Sequence, residues 1–154
     1  MTTPNEALVR NGSRVLTWIG IIAQLMETRA ANVLAAHAVP FPQYVMLNHF
    51  SHQPDAPKTI TGIARALQQP QPGVTKTVQK MVARRFLRVA PAPEDGRSKL
   101  LYLTAKGREA HAKALAALAP AFADLFAGWK PAELDELFGK LDRLKVWLDT
   151  KGRE

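Results

Sequence analysis

Two β-type runs flank a polar segment in a chain whose other apolar residues are mostly spaced for helices. The first run, 86–90, reads Phe-Leu-Arg-Val-Ala, and the second, 99–104, reads Lys-Leu-Leu-Tyr-Leu-Thr. The residues between them, 91–98, are rich in proline and charged side chains, as expected at the tip of a β-hairpin. The sequence therefore predicts a mainly α-helical fold with one small hairpin.

A pair of short helices is predicted immediately before the hairpin. Residues 59–69 have apolar side chains on one side and Thr59 or Thr61 as the cap. After a proline-rich turn, Pro72 suits the first turn of a helix over 72–85, because proline lacks the N–H that a first turn leaves unpaired. Two helices joined by a tight turn and followed by a hairpin describe a winged helix-turn-helix.

Further helices are predicted on both sides of this unit. Residues 6–37 carry apolar side chains at helical spacing over roughly 48 Å. Around 18–26 these side chains cover more than one face, so one face is expected to meet a second subunit. A short helix is predicted at about 42–52. Residues 105–129 again show helical spacing, and Pro120 within them is expected to kink or split the helix.

Pro131 opens a final predicted helix with an apolar seam of the a/d type. The periodicity of this seam fits an intramolecular core stripe as well as a dimer interface, but the unusually long first helix favours the dimer. The seam residues are Leu134, Leu137, Leu141, Leu144 and Leu148.

Positive charge is concentrated in the middle of the chain. Of the net charge of +8 at pH 7, residues 54–110 carry +7, residues 1–53 carry +1, and residues 111–154 carry none. A basic unit between near-neutral ends is typical of a module that binds a polyanion such as DNA. A solvated basic surface that only aids solubility is the alternative.

The sequence disfavours several other classes of protein. The chain has no cysteine, which rules out disulfides and thiolate chemistry. The apolar run 15–26 is too short to span a bilayer and the first residues do not resemble a secretory signal, so we expect a cytoplasmic protein without a membrane partner. No phosphate-binding glycine loop or nucleophile–base pair indicates an enzyme or a cofactor. His49 and His52 are as easily explained as exposed helix residues, and no metal site is predicted.

The exposed side of the second short helix carries the side chains expected to contact DNA. Glutamine pairs with adenine and threonine contacts a thymine methyl group, whereas lysine reads guanine or holds phosphate. We therefore predict base contacts from Thr75 and Gln79 and phosphate contacts from the lysines. The candidates on this helix are Gln71, Thr75, Lys76, Gln79 and Lys80.

The hairpin tip supplies the strongest single candidate for a DNA contact. Arg97 is expected to enter the minor groove, because narrow minor grooves concentrate negative potential. Asp95 is expected to orient Arg97 through a charge-assisted hydrogen bond rather than to meet DNA itself. Lys99, Arg84 and Arg88 suit backbone contacts, although a solvated basic face explains them equally well.

The segment APEDGRSKLLYLTAKG resembles the wing of the MarR family of bacterial transcriptional regulators. Asp95 and Arg97 stand in the family's D-x-R positions, and Leu103, Thr104 and Gly107 stand in its leucine-threonine-x-x-glycine step. The order of helices and strands is similar over the whole chain.

Other positions both support and limit this resemblance. Residues 63–67 resemble the family's leucine-alanine-x-x-leucine helix, and 74–81 resemble its recognition helix. The chain departs from the family at Arg85, where glycine is usual, so a different turn is expected there. It departs again at Gly73, where a polar residue that contacts DNA is common.

The resemblance implies a homodimer that binds a pseudo-palindromic operator in double-stranded DNA. It also implies a single domain over 1–154, with a DNA-binding unit at about 54–107 and helical dimerisation regions at 6–37 and 108–151. Many members are repressors that a small aromatic or phenolic ligand releases. An architectural DNA-binding protein without an effector, or an adaptor that has lost DNA binding, are the alternatives.

A pocket for such a ligand is predicted where the dimerisation helices meet the DNA-binding unit. Aromatic and methionine side chains are concentrated near that junction, although a cluster of this kind fits plain core as well. The candidates are Trp18, Ile22, Met26, Phe41, Tyr44 and Phe50.

Overall fold

The computed structural model describes residues 3–94 and 97–152, and over these residues the predicted helical fold with one hairpin is confirmed. The elements are α1 (Pro4–Ala35), α2 (Phe41–Ser51), α3 (Ile60–Leu67), α4 (Gln71–Ala83), β1 (Leu87–Pro91), β2 (Lys99–Leu103), α5 (Ala105–Leu125) and α6 (Pro131–Thr150).

Helix α1 is long and mostly exposed. It begins with a capping box, in which the Glu6 N–H donates to Thr3 Oγ1 over 3.3 Å and the Thr3 N–H donates to Glu6 Oε2 over 2.8 Å. Only Ala30 and Leu34, near its C-terminal end, are buried. The chain then turns through Ala38, whose φ is 55°, and α2 begins at residue 41.

One apolar core joins α2, α3, α4 and the hairpin. The predicted packing of α3 on α4 is present, because Ile63 and Ala64 of α3 are buried together with Val78 and Met81 of α4, and Leu67 packs against this core. Thr59 is the cap of α3, since its Oγ1 accepts the Gly62 N–H over 3.0 Å. The remaining buried members are Val39, Met46, Leu47, Phe50, Val74, Phe86, Leu87, Leu101 and Leu103.

The small sheet extends beyond the two strands of the hairpin. β1 and β2 pair antiparallel, with Leu87 opposite Leu103 and Pro91 opposite Lys99. On the other edge of β2, Lys58 exchanges two backbone hydrogen bonds with Leu101, of 3.0 and 2.8 Å. The loop before α3 therefore adds one residue to the sheet, which fixes the wing to the helix-turn-helix.

The chain divides into two compact units after Ala121. The first unit contains α1 to β2 and most of α5. Pro120 does not split α5, which runs through it to Leu125. Proline costs one helical hydrogen bond, and because the residues at 116 and 120 are exposed, water can reach the carbonyl that this leaves unpaired.

The second unit, from residue 122 onward, contains the end of α5 and all of α6. Pro131 lies in the first turn of α6, as predicted. No described residue of α6 is buried. Of the five seam leucines, Leu134 and Leu144 are half-buried, and the other three are exposed. The seam is therefore not an intramolecular core stripe.

Arg85 and Gly107 lie where the backbone is closely packed between the hairpin and the start of α5. Arg85 has a φ of 61°, a left-handed conformation that glycine adopts without strain. Its N–H donates to the Val82 carbonyl over 2.9 Å and its carbonyl accepts from Thr104 Oγ1 over 2.6 Å. Arg85 thus adopts the left-handed backbone that favours glycine, the residue usual in the resembled family, and hydrogen bonds on both sides fix the turn.

We expect Arg85→Gly to raise the free energy of unfolding by about 0.5–1 kcal/mol, because glycine removes the strain at positive φ. Urea denaturation at one fixed protein concentration measures this change. The control is Ala112→Gly, on the exposed side of α5, which should lower the free energy by about 1 kcal/mol. A destabilised Arg85→Gly would contradict the strain assignment.

Gly107 sits where no side chain fits. A Cβ there would lie 2.3 Å from the Phe86 carbonyl oxygen and 2.7 Å from Leu103 Cδ1. We expect Gly107→Ala to lower the free energy of unfolding by about 2 kcal/mol or more, because the backbone at Phe86, just before β1, must shift. Gly139→Ala is the matched control, since its Cβ would meet nothing within 4 Å on α6, and it should be neutral or stabilising. Equal effects of the two substitutions would refute the argument.

Candidate nucleic-acid interface

Helix α4 has one buried and one exposed side. Val74, Val78 and Met81 are buried, which holds the helix against α3 and the hairpin. The predicted DNA contacts lie on the other side. Gln71, Lys76, Gln79 and Lys80 are exposed, and Thr75 is half-buried.

A groove of about 300 Å³ lies between α4 and the hairpin. Thr75 and Gln79 line it from the α4 side, and Lys99 lines it from β2. The apolar floor includes Val78 and Leu101. The structure therefore brings two of the predicted recognition residues and one predicted wing residue to the same groove.

The N-terminal end of α4 is open toward solvent. Pro70 is its cap residue, and no side chain hydrogen-bonds to the first turn. The unpaired backbone N–H groups of a helix N-terminus attract anions such as phosphate. The Gln71 side chain makes a hydrogen bond close to this end of the helix, because its Nε2 donates to Thr61 Oγ1 over 3.3 Å. Gln71 therefore connects the first turns of α3 and α4 in this structure.

The wing carries Arg97 and Lys99 on its exposed surface. Beyond the paired strands, the Ala92 N–H donates to the Ser98 carbonyl over 2.9 Å and extends the hairpin toward its tip. Asp95 lies outside the described residues, so its orientation of Arg97 stays a prediction. Arg88 lies farther from the tip, with its guanidinium carbon 4.0 Å from the centre of the Tyr102 ring.

Arg84 differs from the other basic candidates. Its Nη1 donates to Gln43 Oε1 over 2.7 Å, and its guanidinium carbon lies 4.4 Å from the centre of the Phe86 ring. Gln43 is buried at 5% exposure. Arg84 therefore packs inside the first unit, beyond the last turn of α4, rather than on the exposed face of α4.

The six predicted pocket residues do not form one cluster. Phe50 is fully buried in the core, whereas Trp18 and Ile22 are more than half exposed on α1, and Met26 is half-buried. Phe41 and Tyr44 are neighbours, with ring centres 6.2 Å apart.

His111 is the neighbour of Tyr44 that the sequence did not reveal. The two rings stack with centres 6.1 Å apart, and His111 Nε2 lies 3.2 Å from Asn48 Oδ1. Residues 44 and 111 are separated by more than half the length of the first unit, so only the packing of α5 against α2 brings them together. Burial raises the pKa of the Tyr44 hydroxyl above its ordinary value.

Burial also lowers the pKa of the His111 imidazole, and the charge of His52 adds a smaller lowering. The unfolded chain then binds a proton on this histidine more readily than the folded chain does. Neutral His111 contributes its full stability above the pKa that it has in the unfolded chain, about 6.5. This contribution is lost as the pH falls through the lower pKa of His111 in the folded chain.

We therefore expect His111→Gln to reduce the acid sensitivity of the fold. The drop in Tm between about pH 7.5 and about pH 5 should be smaller in the variant than in the parent chain. Part of the drop should remain, because burial also lowers the pKa of His49, with smaller contributions from Lys58 and His52. Identical Tm shifts in the two proteins would contradict the burial of the imidazole.

Other kinds of site receive no support from the part of the chain that the structure describes. Within residues 3–94 and 97–152, no group of three or more His, Asp or Glu side chains is placed to hold a metal ion. No helix in those ranges has the length and apolar character needed to cross a membrane.

Comparison of the sequence with known families and proteins gives one match. Residues 39–98 match the MarR family. This segment contains α2, α3, α4, β1 and all the residues between β1 and β2. No curated protein sequence matches the chain.

Solved structures share the fold over almost the whole chain. BldR, a transcriptional regulator from Sulfolobus solfataricus, has a TM-score of 0.78 at 19% identity, covering 90% of this chain and 96% of its own. AbfR of Staphylococcus epidermidis has a TM-score of 0.80 at 15% identity, with coverage of 97% and 100%. Apo wild-type MarR from E. coli has a TM-score of 0.73 at 16% identity, with coverage of 83% and 93%. The predicted resemblance to the MarR family is confirmed.

Proposed function

We propose that this chain, a MarR-family transcriptional regulator by its segment 39–98 and its fold, acts as a homodimeric repressor. It binds a pseudo-palindromic operator in double-stranded DNA and is released by a small aromatic or phenolic ligand. The observation that carries the proposal is the groove where Thr75 and Gln79 of α4 meet Lys99 of the wing. Catalysis has no part in this function, and the protein acts in the cytoplasm.

Charge supports DNA as the partner. Residues 54–110 hold nearly all of the net positive charge, and they include α3, α4 and the hairpin. Neutralising phosphates with lysine and arginine releases counterions and drives binding. Lys76 and Lys80 are exposed beside the predicted base-reading residues, so they hold phosphates while the helix reads bases.

The geometry supports a two-groove contact. Helix α4 presents its exposed side, with an uncapped first turn, to the major groove, where Thr75 and Gln79 reach base edges. Arg97 on the wing reaches the neighbouring minor groove. Asp95 orients it in this proposal, through a charge-assisted hydrogen bond.

Exposed apolar side chains support the dimer. On α1, Leu8 is 72% exposed and Leu25 is 64% exposed. On α6, Phe138 is 71% exposed. A soluble monomer rarely leaves such long apolar stripes in water, and a twofold dimer buries them. The other exposed members are Val9, Val15, Leu16, Trp18, Ile21 and Ile22 on α1, and Leu137, Leu141, Val146, Trp147 and Leu148 on α6.

The ligand-release part of the proposal rests on the aromatic pair in α2. Phe41 and Tyr44 are half-buried, while Met46, Leu47 and Phe50 of the same helix belong to the core that positions α4. A ligand that displaces α2 therefore changes the position of the recognition helix. Trp18, Ile22 and Met26 of α1 join this pocket when the dimer forms.

The DNA-binding part is tested with operators selected from a random duplex library. We expect selected duplexes to contain two half-sites about one helical turn apart, or a multiple of it, and affinity to fall steeply between about 50 and 200 mM salt. Lys76→Ala should weaken binding to all sequences and reduce the salt slope by about one. Gln79→Ala should cost about 1–3 kcal/mol on the selected operator and relax the preference at one base pair.

The matched control is Lys140→Ala on α6. Lys140 is an exposed lysine whose Nζ lies 2.6 Å from Glu136 Oε1, and its loss should leave DNA affinity unchanged. Equal affinity of the parent protein for selected and scrambled duplexes would refute the proposal. The proposal would also be refuted if Lys76→Ala and Lys140→Ala changed the salt dependence of DNA affinity to the same extent.

A further inference from the structure

A cavity of about 250 Å³ lies in the first unit, away from the recognition surface. The connector between α1 and α2, the residues between α4 and β1, and the first three turns of α5 form its walls. Its polar lining consists of His37, Arg84, Lys106, Glu109 and Lys113. Its apolar lining includes Phe86 and Val39.

The charges around this cavity are unbalanced. Among the described residues, Glu109 is the only carboxylate in the lining, and it lies 2.7 Å from Lys113 Nζ. Hydrogen bonding to Lys113, followed by the charges of Lys113 and Lys106, lowers the pKa of the Glu109 carboxyl. Neither Arg84 nor Lys106 forms an ion pair with any carboxylate of the described residues. Among the described residues, Glu109 therefore faces both Lys113 and Lys106, and the lining carries more positive than negative charge.

Arg84 has N–H groups that can donate to a second hydrogen-bond partner. One of its five N–H groups is used by Gln43, the one buried polar side chain among the described residues. Its guanidinium carbon lies over the Phe86 ring, 4.4 Å from the ring centre. The remaining N–H groups of such a fork suit two oxygens of one anion. Arg84 is only half-buried, so an anion that enters the cavity can reach the N–H groups that Gln43 does not use.

Lys106 is also placed against its electrostatic preference. It lies in the first turn of α5, where the helix dipole disfavours a cation, and that turn contains no acidic residue. Its Nζ lies 5.8 Å from the centre of the Phe86 ring, on which Arg84 also stacks. An anion in the cavity that both side chains line would offset the repulsion between Lys106 and the helix dipole.

We propose that this cavity binds a small oxyanion, a carboxylate or a phosphate, between the guanidinium of Arg84 and the ammonium of Lys106. Its volume is below the range of about 300–1,000 Å³ for drug-sized ligands, so the anion is small. Val39, Ala110 and Ala114 leave room for a short apolar tail. The lining contains neither Phe41 nor Tyr44, although Val39 and Arg84 also line a neighbouring pocket with Phe41.

The ligand is a free anion rather than the DNA backbone. Arg84 follows Thr75 by nine residues and Gln79 by five, so about 13 Å and about 8 Å of helix axis separate it from the two α4 residues proposed to contact bases. The site lies at the opposite end of the recognition helix, where bound anion would tie the end of α4 to the start of α5. This role deepens the proposed ligand-responsive function, whereas anion binding itself is independent of that function.

The test is an NMR titration of the full chain with sodium phosphate and, separately, sodium butyrate, against sodium chloride at matched ionic strength. We expect saturable shifts of the backbone amides around residues 37–39, 84–86 and 105–110 with at least one of the two anions. Tighter binding of butyrate would identify a carboxylate with an apolar tail, and tighter binding of phosphate would identify a phosphate group.

Lys106→Met is the decisive variant, because Lys106 is exposed and its replacement spares the core. The Kd of this variant for the bound anion should rise about tenfold or more, whereas Lys140→Met on α6 should leave that Kd unchanged. Shifts that do not saturate, or equal Kd values for the parent and Lys106→Met, would overturn the site. Specific operator binding without anion binding would refute this inference alone, and the reverse result would refute only the proposed function.

Discussion

The Thr104 side chain makes the contact on which the arrangement of the DNA-binding unit depends. Its hydroxyl lies 2.6 Å from the Arg85 carbonyl and 3.1 Å from the Phe86 carbonyl, and it accepts the Gly107 N–H over 3.0 Å. One residue thus joins the end of α4, the start of β1, the end of β2 and the first turn of α5. Because hydrogen bonds of this kind require fixed distances, none of these four segments moves alone.

Glycine at 107 allows this contact to form. The first turn of α5 approaches the Phe86 carbonyl so closely that even a methyl group is excluded. The leucine-threonine-x-x-glycine step is therefore a physical requirement of the connection between wing and helix. The left-handed turn at Arg85 belongs to the same connection, and its hydrogen bonds hold it whichever residue occupies the position.

The sequence predicted the order of the elements and the packing of α3 on α4, because apolar periodicity records which side of a helix is buried. It could not predict the pairing of Lys58 with Leu101, since a single extended residue has no periodicity. It placed Phe50 in a ligand pocket, whereas the structure places it in the core, because residue type alone does not separate the two. It grouped Arg84 with surface cations, and only the distant Gln43 shows that this guanidinium faces inward. The contacts of the recognition residues with DNA remain predictions.

The exposed length of α1 has a consequence for how the protein assembles. Helices depend mainly on tertiary packing, and among the described residues of α1 only Ala30 and Leu34, in its last two turns, are buried. In the proposed dimer, the packing that holds its N-terminal turns comes from the second subunit. The N-terminal turns of α1 then become ordered only when two subunits associate. The fraction of fully folded protein therefore depends on the protein concentration.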